Sequence, residues 1–141
     1  SELGLVTALE TLCRDFTLNT NIPCEFSFFG SFLNMPQKIT TYLYRIAQEG
    51  LNNAAKHASA SLINLQIIEN STHYLLIIED NGKGFDIEKE PITRGNGIYN
   101  MRERATLLEG KLSIESKLGK GTTLRIKIPK ISTHDNIDTA R

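Results

Sequence analysis

Four groups of residues in this chain have the types and spacing to do chemistry. Glu49, Asn53 and Lys56 stand about one helical turn apart, and at about 100° per residue they share a narrow arc. Ile39, Leu43, Ile46 and Ala54 gather away from that arc, so one face packs while the other presents a carboxylate, an amide and an ammonium. A solvated polar face is the plain alternative. Asparagine is a poor helix former, however, and two in mid-helix, Asn52 and Asn53, call for another reason. The second group opens at Asp80, where the apolar run Tyr74 to Ile78 gives way to Asp80-Asn81-Gly82-Lys83-Gly84-Phe85. An acid at the mouth of a buried strand can hold a specific hydrogen-bonding ligand, although Asn81-Gly82 is also an ordinary turn dipeptide. In the third group, Gly82 and Gly84 face Gly95 and Gly97 across a loop, and backbone amides freed by such glycines can turn toward phosphate oxygens. Gly97-Ile98 also opens a helical stretch, whose N-terminus suits an anion. The fourth, Gly119-Lys120-Gly121-Thr122, is on its own terms a tight hairpin.

These groups need elements to position them. Leu5, Leu9, Leu12 and Phe16 recur at helical spacing near the start, in a helix that opens without capping residues and looks cut from something longer. Cys24 to Phe29 is a short strand closed by Gly30. A long helix runs from Pro36, with Asn34 as cap, to about His57. Leu62 to Glu69 and Tyr74 to Asp80 are β-rich and joined by Asn70-Ser71-Thr72, which predicts an antiparallel pair. Residues 81 to 97 read as a loop with few packing contacts, and Ile98 to Leu108 as a helix stopped by Gly110. Leu112 to Ser116 and Thr122 to Ile128 form a second hairpin, with Leu124, Ile126 and Ile128 on its buried face. This order predicts a two-layer α/β sandwich with a mixed, mostly antiparallel sheet on about three helices. The tail from 130 to 141 is polar and expected to be disordered.

At 141 residues the chain is most economically one main domain. Sixteen basic residues balance sixteen acidic ones, so no global field draws in nucleic acid or an anionic membrane. No apolar stretch reaches the roughly 20 residues that span a bilayer. Cys13 and Cys24 have neither metal-ligand spacing nor company in sequence and read as two reduced thiols of a cytosolic protein. A P-loop run and the protein-kinase catalytic-loop signature are both missing.

In this order, the four groups resemble the ATP-binding module shared by sensor histidine kinases, DNA gyrase, heat-shock chaperone ATPases and mismatch-repair ATPases. Glu49-Gly50-Leu51-Asn52-Asn53-Ala54-Ala55-Lys56-His57-Ala58 looks like that family's N box. The resemblance implies ATP and Mg²⁺ as cofactors, with Asn53 the Mg²⁺ ligand, Glu49 the catalytic residue that positions a water or polarises the phosphoacceptor, and Lys56 near the phosphates. Asp80 would accept from the adenine amine, with Thr122 helping to hold Asp80 or a water against the base. Gly82, Gly84, Gly95, Gly97 and Ile98 would line the phosphate side. Tyr99-Asn100-Met101-Arg102-Glu103-Arg104-Ala105 after a short loop resembles the nitrate-sensor type of histidine kinase. That type implies response-regulator partners with helix-turn-helix output domains. It also implies a homodimeric full-length protein, membrane-anchored or not, with this domain in the cytoplasm and no direct contact to nucleic acid. Residues 1–20 would then be the end of a dimerisation helix and 21–129 the catalytic domain. The phosphoacceptor histidine of such proteins lies on a separate upstream helical domain and is usually followed by an acid. His57 is followed by Ala58 and does not fit that role. An anti-sigma-factor-type serine kinase and a nucleotide-gated interaction module without turnover are the alternatives.

Overall fold

The computed structural model of the protein describes residues 4–57, 59–90 and 92–130. Helix α1 (Gly4–Thr20) turns Leu5, Val6, Leu9, Cys13 and Phe16 inward, with Leu12 half-buried beside them. Its end is fastened by side chains. The Thr20 hydroxyl donates to Phe16 O at 2.7 Å and accepts from Ile22 N at 3.1 Å, and Asn21 takes the left-handed conformation that asparagine tolerates. Cys24 N donates to Thr17 Oγ1 at 3.0 Å and so aligns the start of β1 (Cys24–Phe29) with α1.

Next comes α2 (Gln37–His57), then strands β2 (Ile63–Glu69) and β3 (His73–Asp80), helix α3 (Gly97–Leu107), and strands β4 (Lys111–Ser116) and β5 (Thr122–Pro129). The sheet order is β1-β2-β3-β5-β4. β1 runs parallel to β2, which a crossover through α2 permits, and the other three pairings are antiparallel. The strand expectations hold to within one residue at each end.

Alternation decides which sheet face meets the helices. Ile63, Leu65 and Ile67 of β2, Leu76 and Ile78 of β3, and Ile126 and Ile128 of β5 are almost wholly buried. The register carries one row across the sheet, Leu65 to Ile78 to Leu124 to Ile114. Leu43, Ile46 and Leu51 of α2 and Ile98 and Met101 of α3 belong to the same buried cluster, as do the inward residues of α1. The packed stripe expected on α2 (Ile39, Leu43, Ile46 and Ala54) is buried as a unit.

One expectation is corrected. Cys13 and Cys24 do have company, since the α1–β1 connection brings the two free thiols into side-chain contact. The Cys24 thiol and burial together hold the Cys13 thiol far above its usual range. Sequence spacing gave no hint of it because the contact is made by the middle of α1 packing against the first residue of β1. The tail expected to be disordered lies outside the described residues, apart from Lys130.

Candidate functional site

β3 is the middle strand, flanked by β2 and β5, and Asp80 is its last residue. Its carboxylate is half-buried at the C-terminal end of the strand. Gly82 N donates to Asp80 Oδ1 at 2.9 Å, and the backbone N–H of Thr122, the register partner of Asp80, also favours the charged carboxylate. Burial pushes the Asp80 carboxyl above its ordinary pKa, against those two donors, with Glu79 adding to the rise. Such an acid is fixed in place and still short of partners, as a ligand acceptor should be.

Around Asp80 the chain is tied down on every side. Asn81 Oδ1 accepts from Ser61 N at 2.9 Å and Leu62 N at 3.0 Å, while its Nδ2 donates to Ser61 Oγ at 2.8 Å. Gly119 N donates to Lys83 O at 2.6 Å, which joins the Asp80 loop to the β4–β5 turn. Gly121 has φ +77°, and a Cβ there would stand 2.1 Å from Asp80 O, so this contact requires glycine. Ser116, opposite Thr122 in the hairpin register, is the junction of the floor. Phe85 N donates to Ser116 Oγ at 2.9 Å, Ser116 Oγ donates to Gly121 O at 3.2 Å, and Ser116 Oγ lies 2.8 Å from Thr122 Oγ1. No motif pointed to Ser116. The symmetry of the hairpin about residues 117–121 would have placed it opposite Thr122.

The opposite wall is α2. Asn53 and His57 line the cavity, with Gly50 and Ala54 between them on the packing side. Glu49 lines neither cavity but stands beside Asn53, since a Cβ on Gly97 would lie 2.9 Å from Glu49 Oε1 and 3.2 Å from Asn53 Oδ1. The expected pairing of Glu49 with Asn53 is therefore real, and it faces the start of α3. Lys56 is exposed and lines neither cavity, whereas His57, set aside in sequence as a phosphoacceptor, lines both.

The two cavities share Asn53, His57, Gly84 and Phe85 as lining. The inner one, about 40 Å³, is floored by Asp80, Thr122, Ile78 and Leu124. The outer cleft, about 500 Å³, adds Lys83, Asn96, Ile98 and Leu118. Asn96 caps α3, its Oδ1 accepting from Ile98 N at 2.7 Å. The Ile98 amide is thus already engaged, and an anion that takes it must displace the cap. Gly95 has nothing within 4 Å of a Cβ and stands open to solvent.

A half-buried carboxylate at the inner floor, a polar helix face and an outer cleft next to the cap of α3 thus lie side by side. Residues 39–132 match the model of the histidine kinase-, DNA gyrase B-, and HSP90-like ATPase family. The chain belongs to that family.

Two curated relatives carry the name signal transduction histidine-protein kinase/phosphatase DegS. The protein from Brevibacillus brevis is 38% identical over 128 residues, and that from Bacillus subtilis (strain 168) is 43% identical over 133. Both alignments take in 91% of this chain but only 33% and 34% of the relatives, so the chain spans about a third of their length. Among solved structures, the histidine kinase domain of the Erythrobacter litoralis EL346 blue-light activated kinase superposes with TM-score 0.74 at 19% identity, covering 89% of this chain and 61% of that one. Acinetobacter baumannii histidine kinase AdeS gives 0.71 at 16%, covering 89% and 64%. At such identities the superpositions bear on the fold alone, which is this family's ATPase-domain sandwich. Membership in an ATPase family makes ATP the ligand the cleft has to be tested against.

Proposed function

We propose that this domain binds MgATP and presents its γ-phosphoryl to a histidine on a separate helical domain, as the catalytic part of a dimeric sensor histidine kinase. The observation that carries this reading is Asp80, a fixed and underused carboxylate at the floor of a cleft whose far wall offers Asn53. Asp80 accepts from the adenine amine, and it rejects guanine, whose carbonyl oxygen takes the same place. The Asn53 amide oxygen is a hard donor that fits a magnesium ion sharing phosphate oxygens and waters. When bound, that ion neutralises phosphate charge. Glu49, against Gly97 and beside Asn53, orients the incoming group or its water. The glycines at 82, 84, 95 and 97 let the chain close over the phosphates. Lys56 reaches the phosphates only by extending from its exposed position. Catalysis here is mainly positioning, since phosphoryl transfer asks little covalent work of the protein.

The relatives' names support the reading, and the matched third of their length leaves room for an acceptor domain. Residues 1–20 form the end of the dimerisation helix on this view, fastened to the catalytic domain (residues 21–129) by the buried face of α1. The onward partner is a response regulator with a helix-turn-helix output. The domain itself works in the cytoplasm, whether or not the whole protein is anchored to a membrane. Among the described residues no helix is long and apolar enough to cross one.

The test is radiolabelled ATP with this chain alone and with a longer chain that restores the upstream helical domain. The short chain should bind ATP without labelling itself, and the longer chain should gain acid-labile phosphohistidine. Labelling of His57 in the short chain would overturn the assignment. ATP binding without transfer in the longer chain would favour the interaction-module alternative.

A further inference from the structure

Ser116 is not part of any nucleotide contact set out above, yet three hydrogen bonds of the base floor converge on its hydroxyl. A serine hydroxyl has one proton and two lone pairs. Phe85 N–H uses one lone pair at 2.9 Å. The proton has two candidate acceptors, Gly121 O at 3.2 Å and Thr122 Oγ1 at 2.8 Å. Gly121 is buried, so a carbonyl left without a donor there carries a desolvation cost. One assignment gives the buried Gly121 carbonyl its donor. Ser116 donates to Gly121 O, Phe85 N–H fills its first lone pair, and Thr122 O–H donates into the second.

We propose that Ser116 is a positioning residue that sets the polarity of the Thr122 hydroxyl, and through it the base selectivity of the site. With its proton committed to Ser116, Thr122 Oγ1 offers the cavity lone pairs only. Asp80, an acceptor too, stands beside it, since Asp80 and Thr122 are register partners and both line the inner cavity. The floor is therefore an acceptor pair. It takes an exocyclic amine, or a water that donates to it, and disfavours a carbonyl oxygen in the same place. The selectivity lies in a hydrogen-bond direction set one residue behind the surface that touches the ligand. This inference rests on the adenine reading of the cleft.

Calorimetric titration with MgATP and with MgITP, whose base carries a carbonyl where adenine has its amine, tests it. Wild type should prefer ATP. Ser116→Ala frees the Thr122 proton to donate into the cavity, so the ATP-over-ITP ratio should fall by on the order of tenfold. Ser116→Thr keeps a hydroxyl and should keep the ratio. In a Thr122→Val background, Ser116→Ala should leave the ratio unmoved, because the group it acts through is gone. A brace without polarity would weaken both nucleotides equally in Ser116→Ala, and that result overturns the proposal while leaving the adenine reading intact. Wild type that binds ATP and ITP alike overturns the adenine reading and this inference with it. Should Ser116→Ala not fold, Thr122→Val alone decides. A fall in its ratio supports the acceptor role, and a ratio equal to wild type overturns it.

Discussion

The two sides of the cleft are built differently. The Asp80 side lies at the end of β3 and the start of β5 and is cross-tied by Asn81, Lys83 and Ser116 to segments far away in sequence. Beyond Phe85 the hydrogen bonds become local. Glu88 N reaches Asp86 Oδ1, Lys89 N and Glu90 N reach Asp86 O, and Asn96 N reaches Thr93 O. Among its described residues, the loop expected over 81 to 97 is thus two things, an anchored part through Phe85 and a part beyond it held by local hydrogen bonds and by Ile92 against the core. The contrast teaches a division of labour. On the function proposed above, the base would meet a surface formed in advance, and the phosphates a segment held mainly by its own local hydrogen bonds.

Substitutions can break this comparison, and the largest effect belongs to the floor. Gly121→Ala would force a Cβ into Asp80 O, whereas Gly95→Ala meets open space and only the strain of φ +93°. The first should abolish ATP binding and lower the thermal midpoint strongly. The second should cost about 1–2 kcal/mol of stability. Equal effects in thermal melts and titrations would erase the distinction. Asp80→Asn comes next. It preserves shape but swaps an acceptor for a donor, so ATP affinity should fall by roughly 100-fold, with GTP weak in both proteins. GTP displacing ATP at similar concentration from wild type would remove Asp80 from the base site.

Asn53→Ala, on the wall between the two sides, should remove the magnesium enhancement of ATP affinity, an effect of roughly tenfold or more. The fold should stay intact, because Asn53 faces the cavity. Unchanged MgATP and metal-free affinities in calorimetry would move the metal elsewhere. Hydrogen exchange then sharpens the boundary, with MgATP adding most protection at residues 86–96 and Gly97 to Met101 and little at Asp80 to Phe85. Even protection across both parts would deny the lid its separate role.

The smallest effect is a pH dependence without ligand. Burial raises the folded-state pKa of Asp80 above its unfolded value, so its protonated form is favoured by folding. Its contribution to stability is present below the unfolded carboxylate range and lost as pH rises through the higher folded value. At neutral pH, Asp80→Asn should therefore be slightly more stable than wild type, by less than about 1 kcal/mol given solvent screening. That advantage should vanish in acid. A pH-independent difference in melting would assign the cause to packing.

Much of this was legible because it is periodic. The α2 stripe, the alternation in β5 and the apolar run before Asp80 each repeat with the period of their element, and each packs as read. What stayed hidden depends on the meeting of distant segments. His57 enters the cleft by its place on the last turn of α2 relative to the loop from Lys83 to Phe85. Ser116 matters through a hairpin register, and the Cys13–Cys24 contact through the packing of the middle of α1 on the start of β1. Lys56 shows the converse. It shares the helical arc of Glu49 and Asn53, but that arc runs past the rim of the cavity before reaching it.

The pairing of β3 with β5 has a consequence for how the molecule assembles. β2 with β3 and β4 with β5 are hairpins joined by short turns, the kind of contact that closes in microseconds. Asp80 belongs to one hairpin and Thr122 to the other, with α3 between them in the chain. The Asp80–Thr122 floor is therefore a weld between two hairpins and does not exist in either alone. During refolding, the ability to recognise a nucleotide should arrive all at once, when that weld closes, and ATP can select only chains that have already made it.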